Sequence, residues 1–425
     1  MRKRTKTKNI WLIPSSLALL VILAVLAYQI PPIHRRLAWR MDLAIVYLRG
    51  IVYPVGPVPT PLKPIDQPTA DSTGELPDLS AVTAIPTSLP PTPFSPTLSP
   101  LPSPTPIPAA VTLPAPAYEQ QTMNNCGPAS LAMVLRFYGW DGKQADIASL
   151  IKPLDDDRNV NVEELVYYVR NRAGWLKAEF RVGGSLDLLK RLMAAGLPVM
   201  VEESFYIDKP FWPNDDLWAA HYLLLTGYDD ASQTFTGQDS FHGADQRVAY
   251  ATLDNYWHIF NRVYILVYRP EQEEAVKSIL GGDWDSNVNR QHALATAQVE
   301  AQSNPKDAFA WFNVGSNLVF FGRYAEAAST YDTARDLGLP QRMLRYQFGP
   351  FFAYFHSGRT EDLLALTEYA LQRTPNAEEA LLWHGWALYR KGDTAGATAD
   401  FRKALKANPN GQDAKNALNF VGASP

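Results

Sequence analysis

The hydrophobic pattern changes character along the chain. Ile10 to Ile33, "IWLIPSSLALLVILAVLAYQIPPI", carries no charge, and its length and apolarity suit one bilayer crossing. Arg35 to Gly50 then places Leu37, Met41, Ile45 and Leu48 on one helical face, with Arg36 and Arg40 on another. This predicts a helix at a membrane surface, or an extension of the anchor. Pro54 to Pro116 has no periodicity. From Tyr118 it returns. "GPASLAMVLRFYGW" predicts a helix starting just after Cys126 and stopping at Gly139. "NVEELVYYVRNRAG" predicts another, with Asn161 and Glu164 spaced as a capping box. "SLDLLKRLMAAG" predicts a third, ending at Gly196. Strands follow at Leu197–Glu203, His221–Asp230, Thr234–Asp239 and Arg262–Pro270, with "YDDASQTF" as a hairpin turn. Helices followed by an antiparallel sheet make an α+β domain.

From about Gln291 the pattern is all-helical and repeats. Gly322, Gly358 and Gly392 are followed at +5 by Ala327, Leu363 and Ala397. At +9 come Tyr331, Thr367 and Phe401, at +12 Ala334, Ala370 and Ala404, and each unit closes near Pro340, Pro375 or Pro409. Small residues let two antiparallel helices approach, and an aromatic fills the gap. The period resembles the tetratricopeptide repeat, which implies an all-α solenoid. Trp311 and Gly315 fit the first-helix pattern, and His384–Gly385 fits it in part. Pro350–Phe351 departs from it, which predicts a bent first helix in the middle unit. "HALATAQVEAQSNP" is expected to be the second helix of a degenerate earlier unit, and "NGQDAKNALNFVG" a closing helix.

Composition narrows the setting. The chain has 425 residues, 46% hydrophobic and 12% aromatic, with a formal net charge of -4. That is enough for two or three packed domains and argues against nucleic acid as a partner. Arg2, Lys3, Arg4, Lys6 and Lys8 precede the apolar run, which places the tail in the cytoplasm and the rest outside. A single-pass, extracytoplasmic protein is therefore expected. A cleaved signal peptide, giving a secreted protein, is the open alternative. Residues 54–116 hold 19 of the 34 prolines and cannot build a core. At roughly 3.1 Å per residue they would reach on the order of 190 Å as a stalk. The expected organisation is tail 1–9, transmembrane anchor 10–30, juxtamembrane segment 31–53, disordered Pro/Thr/Ser-rich linker 54–116, α+β domain 117–270, connector 271–290 and repeats 291–425.

The chain contains one cysteine, Cys126. No disulfide, zinc cluster or other metal or cofactor site is expected. "LDDDRNVN" (154–161) lacks the glycine and terminal glutamate of a calcium loop and reads as a solvated turn. Cys126 precedes a helix, where main-chain N–H dipoles favour the thiolate. Gly127 allows close approach, and Pro128 suits the first turn. A base must come from elsewhere. Of seven histidines, His221 opens an apolar strand, and Asp239 ends the next strand, where pairing would set it beside His221. His242 is the alternative base. Gln120 lies six residues before the cysteine and offers an oxyanion donor, with Gln121 as its near substitute. The segment "SFYIDKPFWPNDDLWAA" is either a substrate loop over the cleft or ordinary aromatic packing.

Together Gln120, Cys126–Gly127–Pro128, His221 with "LLLTGYD" and Asp239 resemble the papain-like peptidases that remove double-glycine leaders from bacteriocins, and their stand-alone relatives. The resemblance covers about residues 117–270. It implies a papain-like cysteine peptidase fold, with Cys126 as nucleophile, His221 as general base and acid, Asp239 as orienting residue and Gln120 as oxyanion donor. Asp239–Ser240 stands where the family often has Asp-Pro, and no transporter domain is attached, so the leader substrate does not carry over. The expected activity is peptide hydrolysis, with the repeats recruiting a protein substrate or partner. A catalytically inactive peptide-binding adaptor and an acyl transferase are the alternatives.

Overall fold

The computed structural model describes residues 31–62, 107–154 and 159–424. The expected tail (1–9) and anchor (10–30) lie outside the described residues. Among those described, no helix is long and apolar enough to cross a membrane. The segment expected beside a membrane (31–53) forms helix α1 (Pro31–Val52), which exposes Met41, Ile45, Leu48 and Val52.

The elements of the central domain are, in order, β1 (Ala110–Thr112), α2 (Cys126–Phe137), α3 (Gln144–Ile151), α4 (Val162–Arg172), β2 (Lys177–Arg181), α5 (Leu186–Ala194), β3 (Val199–Tyr206), β4 (Trp218–Asp229), β5 (Thr234–Asp239), β6 (Gly243–Ala249), α6 (Tyr250–Trp257), β7 (Tyr264–Tyr268) and α7 (Glu273–Leu280). The strands form one antiparallel sheet ordered β2-β7-β3-β4-β5-β6. β1 pairs with the end of β4 beyond the reach of β3. The register shifts between Leu225 and Gly227, where the Val111 carbonyl approaches so closely that a Cβ on Gly227 would sit 2.7 Å from it.

Both faces of the sheet are covered. Val199, Val201, Leu223, Leu225 and Leu266 pack in one core with Leu189, Leu192 and Trp257. Met200, Tyr222, Leu224, Ile265 and Val267 pack in the other with Leu131, Val134, Leu165 and Val169. Two-sided burial explains why "HYLLLTGYDD" is apolar throughout instead of alternating. The capping box at Asn161 forms as expected, with the Asn161 N–H donating to Glu164 at 2.7 Å.

The C-terminal region is helical: α8 (Ser286–Ser303), α9 (Ala308–Phe320), α10 (Tyr324–Leu337), α11 (Met343–Tyr346), α12 (Gly349–His356), α13 (Thr360–Arg373), α14 (Glu378–Arg390), α15 (Thr394–Ala407) and α16 (Gln412–Phe420). Gly322, Gly358 and Gly392 end α9, α12 and α14 with φ of 68°, 79° and 85°, the left-handed region where glycine is favoured. Gly315 and Gly385 admit the rings of Tyr331 and Phe401; a Cβ would lie 2.7 and 2.6 Å from them. α12 spans eight residues, against 13 for α9 and α14; Pro350 stands in its first turn, and the chain breaks from helix at Gln347–Phe348 after α11.

One hydrophobic cluster runs without a break from Leu131 and Leu165 through Ala293 and Phe312 to Ala387. The helical region is thus packed on the central domain and not strung behind it. Side-chain amides seal the seam: Asn289 accepts from the Val182 N–H at 3.1 Å and donates to its carbonyl at 2.8 Å. The segment 204–220, read as either a cleft loop or aromatic packing, contributes a docking clamp. Asp215 receives both ends of the Arg342 guanidinium at 2.6 Å, and Trp212 donates to Gln341 at 2.7 Å. Residues at both ends of the expected linker are also ordered against this body, through β1 and through Gly56–Leu62.

Candidate active site

Cys126 is the first residue of α2, a 12-residue helix. Its approach loop is fixed by a residue the sequence reading did not single out. The buried Gln144 side chain accepts from the Thr122 N–H (2.8 Å) and from Asn125 Nδ2 (2.7 Å). Its Nε2 donates to the Gln120 carbonyl at 2.8 Å and to Glu119 at 3.1 Å. Lys152 adds a bond to the Asn124 carbonyl at 3.0 Å, and Asn124 takes a φ of 55°. One amide thus ties both sides of a tight loop to α3, and the loop delivers the thiol to the helix start.

His221 lies on β4 and Asp239 at the end of β5. His221 Nε2 meets Asp239 Oδ1 at 2.8 Å, with His221 2% exposed. The other ring nitrogen, Nδ1, is buried and lacks a fully formed hydrogen bond, yet thiol and ring lie close enough for each to shift the other. A loose thiol–imidazole pair is ordinary before substrate arrives. Asp239 Oδ1 also accepts from the Phe241 and His242 N–H groups, and Oδ2 meets His242 Nδ1 at 2.7 Å. His242, the alternative base, therefore sits on the far side of the carboxylate. Phe205 covers the His221 ring at a centroid distance of 5.0 Å.

The charges favour an ion pair. Burial alone would raise the Cys126 thiol, but the adjacent His221 ring and its charge, with main-chain bonds from Tyr222 and Gly127, leave it below its ordinary value. Burial alone would lower His221; the hydrogen bond with Asp239 and the nearby thiol outweigh it and carry it to about 10. Burial alone would raise Asp239; His221 and then His242 together outweigh it and hold the carboxyl well below the carboxylate range.

Two further carboxyls sit beside the site. Glu203 faces His221 across the β3–β4 ladder and is pushed up to about 7, first by burial and then by Asp239, with His221 opposing. Glu202 faces Tyr222 and is raised well above its ordinary value, by burial and then by the Cys126 charge. "VEE" at the end of an apolar strand was the available signal. Glu202 also lines a cleft of about 1580 Å³ between the central domain and the helical region, with Phe260, Tyr346, Trp383 and Trp386. Cys126, His221 and Asp239 do not line that cleft.

Gln120 is exposed, and its carbonyl is held by Gln144. Gln121 is occupied elsewhere: its N–H donates to the Ser240 carbonyl at 2.8 Å and its Oε1 accepts from the Ser240 hydroxyl at 2.9 Å. Ser240, the departure from Asp-Pro, anchors the cysteine loop to the Asp239 turn. Among the described residues no group of three or more His, Cys, Asp or Glu is placed to hold a metal ion.

Residues 112–265 match the model of the Peptidase_C39 like family. The central domain is similar to that family. Solved structures similar to the C39-like domain include a C39-like peptidase from Bacillus anthracis (18% identity, 38% of this chain and 98% of that one, TM-score 0.31). Another is a double glycine motif protease from an AMS/PCAT transporter with its leader peptide (17%, 37% and 94%, TM-score 0.28). A third is xylellain, a cysteine protease from Xylella fastidiosa (16%, 38% and 87%, TM-score 0.30). No curated protein matches the chain.

Proposed function

We propose that the C39-like domain is a cysteine peptidase working through Cys126, His221 and Asp239. The observation that carries this reading is the division of the His221 ring: Nε2 goes to Asp239, and Nδ1 is left for the thiol. The Cys126 thiolate attacks a peptide carbonyl carbon, and the carbonyl electron pair moves onto oxygen. The main-chain N–H groups at the start of α2 and the Gln120 amide supply donors for that oxyanion. His221 Nδ1–H then protonates the leaving amine, giving an acyl-enzyme. A water deprotonated by His221 attacks it and restores the thiol. Asp239 holds the ring orientation and stabilises the imidazolium.

The helical region is read as tetratricopeptide repeats that recruit a protein substrate. The aromatic cleft they form with the C39-like domain, in which Glu202 reaches from the cysteine side, supports this. Anchoring by residues 10–30, with the remainder extracytoplasmic, completes the reading and rests on the basic flank and apolar run alone. The test is incubation of the full chain in detergent with a peptidyl vinyl-sulfone probe and, separately, with a peptide library. Expected are stoichiometric labelling of Cys126 and cleavage products, both abolished by Cys126→Ala. Labelling no faster than a free thiol, with no cleavage, would refute it.

A further inference from the structure

Gly56 to Leu62, "GPVPTPL", lies on the helical region far away in sequence. Tyr369 Oη donates to the Gly56 carbonyl at 3.1 Å. Arg335 Nε and Nη2 donate to the Pro59 and Thr60 carbonyls, each at 2.9 Å. Arg335 Nη1 donates to Asp362 Oδ1 at 2.9 Å, and the same oxygen accepts the Leu62 N–H at 3.1 Å. Val58 is buried, at 4% exposure. One residue range therefore satisfies a cation, a tyrosine hydroxyl and a carboxylate on two neighbouring helices, α10 and α13.

The chemistry is specific in kind. Every polar contact is to main chain. Prolines at 57, 59 and 61 bring no N–H that needs a partner, and an extended proline-rich chain has carbonyls free of internal bonds. A surface that offers donors in a row suits such a strand. The Arg335 side chain is fully buried beneath it. With the strand in place these donors are all satisfied inside the protein, so strand and guanidinium are buried together. A second contact stands just upstream: Gly50 lies so close to Trp212 that a Cβ would be 2.5 Å from Trp212 Cβ. Trp212 in turn donates to Gln341, next to Arg342.

We propose that Arg335, Asp362 and Tyr369 form a receptor for an extended, proline-punctuated peptide, and that its resident ligand is the chain's own Gly56–Leu62. The latch fixes the end of α1 beside the helical region. Residues 63–106 then join two points of one body, Leu62 on the helical region and the run into β1 on the sheet. The proline-rich stretch does not set the distance between α1 and the catalytic domain. The latch does not depend on the chemistry at Cys126.

The test uses the full chain with residues 54–62 replaced by alternating glycine and serine. A fluorescent peptide, PVGPVPTPL, is titrated by anisotropy. Saturable binding to the replaced chain, none to the intact chain whose site is filled, and a loss of about fivefold on adding Tyr369→Phe, one hydrogen bond's worth, are expected. A folded replaced chain that ignores the peptide, or that binds a glycine–serine peptide equally, would overturn the proposal. Hydrogen exchange on the intact chain decides independently of that variant. The Leu62 amide is expected to be protected at least tenfold over unstructured chain; exchange at the unstructured rate would overturn the latch.

Discussion

Asp239 stands between two histidines, with His221 Nε2 on one carboxylate oxygen at 2.8 Å and His242 Nδ1 on the other at 2.7 Å. Only His221 is buried and shares its field with the thiol. Asp239→Asn is therefore expected to slow peptide hydrolysis by roughly 10²- to 10⁴-fold through loss of ring orientation and imidazolium support. His242→Ala removes a half-exposed support from the far side and is expected to cost less than about tenfold, within the range of an exposed hydrogen bond. Steady-state kcat/KM on one peptide measures both. A larger loss for His242→Ala would reverse the assignment of the two histidines.

Gln144 acts through the loop and not on substrate. Gln144→Ala leaves the Thr122 and Asn125 donors and the Gln120 carbonyl without their shared partner. The expected result is slower Cys126 labelling by a probe with the melting temperature lowered by only a few degrees, about 1–3 kcal/mol of lost satisfaction. Labelling at the wild-type rate would show that the loop holds its shape without it.

Glu203 gives a sign-definite pH effect. Its folded value is raised to about 7, chiefly by burial, above the roughly 4.3 of an unfolded glutamate. Its contribution to stability is therefore present below about pH 4.3 and lost as pH rises toward 7, because the unfolded chain releases that proton first. Glu203→Gln is expected to flatten the stability curve across that window. Chemical denaturation at stepped pH checks this, and an unchanged slope would contradict it.

Arg342 and Asp215 form a buried pair, 2% and 0% exposed at the side chain. The Arg342 plane also stacks 4.0 Å from the Trp212 ring. Arg342→Ala leaves Asp215 buried without its cation and is expected to cost about 3–5 kcal/mol. If the helical region and the C39-like domain share one core, both should lose stability together. Two separated transitions in which only the helices soften would contradict a shared core.

The site was legible where chemistry is concentrated in unusual residues. A lone cysteine at a helix start, a histidine opening an apolar strand and an aspartate closing the next one are each conspicuous in one dimension; the pairing of β4 with β5 brings His221 to Asp239, and packing of α2 on the sheet brings Cys126. Gln144 was not legible, because a glutamine beginning a helix looks ordinary and its partners stand 19 to 25 positions away. β6, "GADQRVA", was missed because an exposed edge strand carries no apolar alternation. β1 was hidden in proline-rich sequence, where three residues suffice to pair with the end of β4. The packing of the helices onto the domain was not legible, because amides such as Asn289 bond main-chain atoms of Val182 across the seam, and no pattern of side chains announces that.

The proposed peptidase requires Cys126 and His221 to share a proton as thiolate and imidazolium. The direct measurement is the rate of Cys126 alkylation by iodoacetamide across pH, in the wild type and in His221→Ala. The thiol is held below its ordinary value and the imidazole is raised to about 10. The wild-type rate should therefore rise at lower pH than that of the variant and change again only as pH nears 10, where the imidazolium is lost. In His221→Ala the rate should rise only near the ordinary thiol range, about pH 8.5. A wild-type profile that rises near 8.5 and coincides with that of the variant would contradict the ion pair, and with it the proposed peptidase.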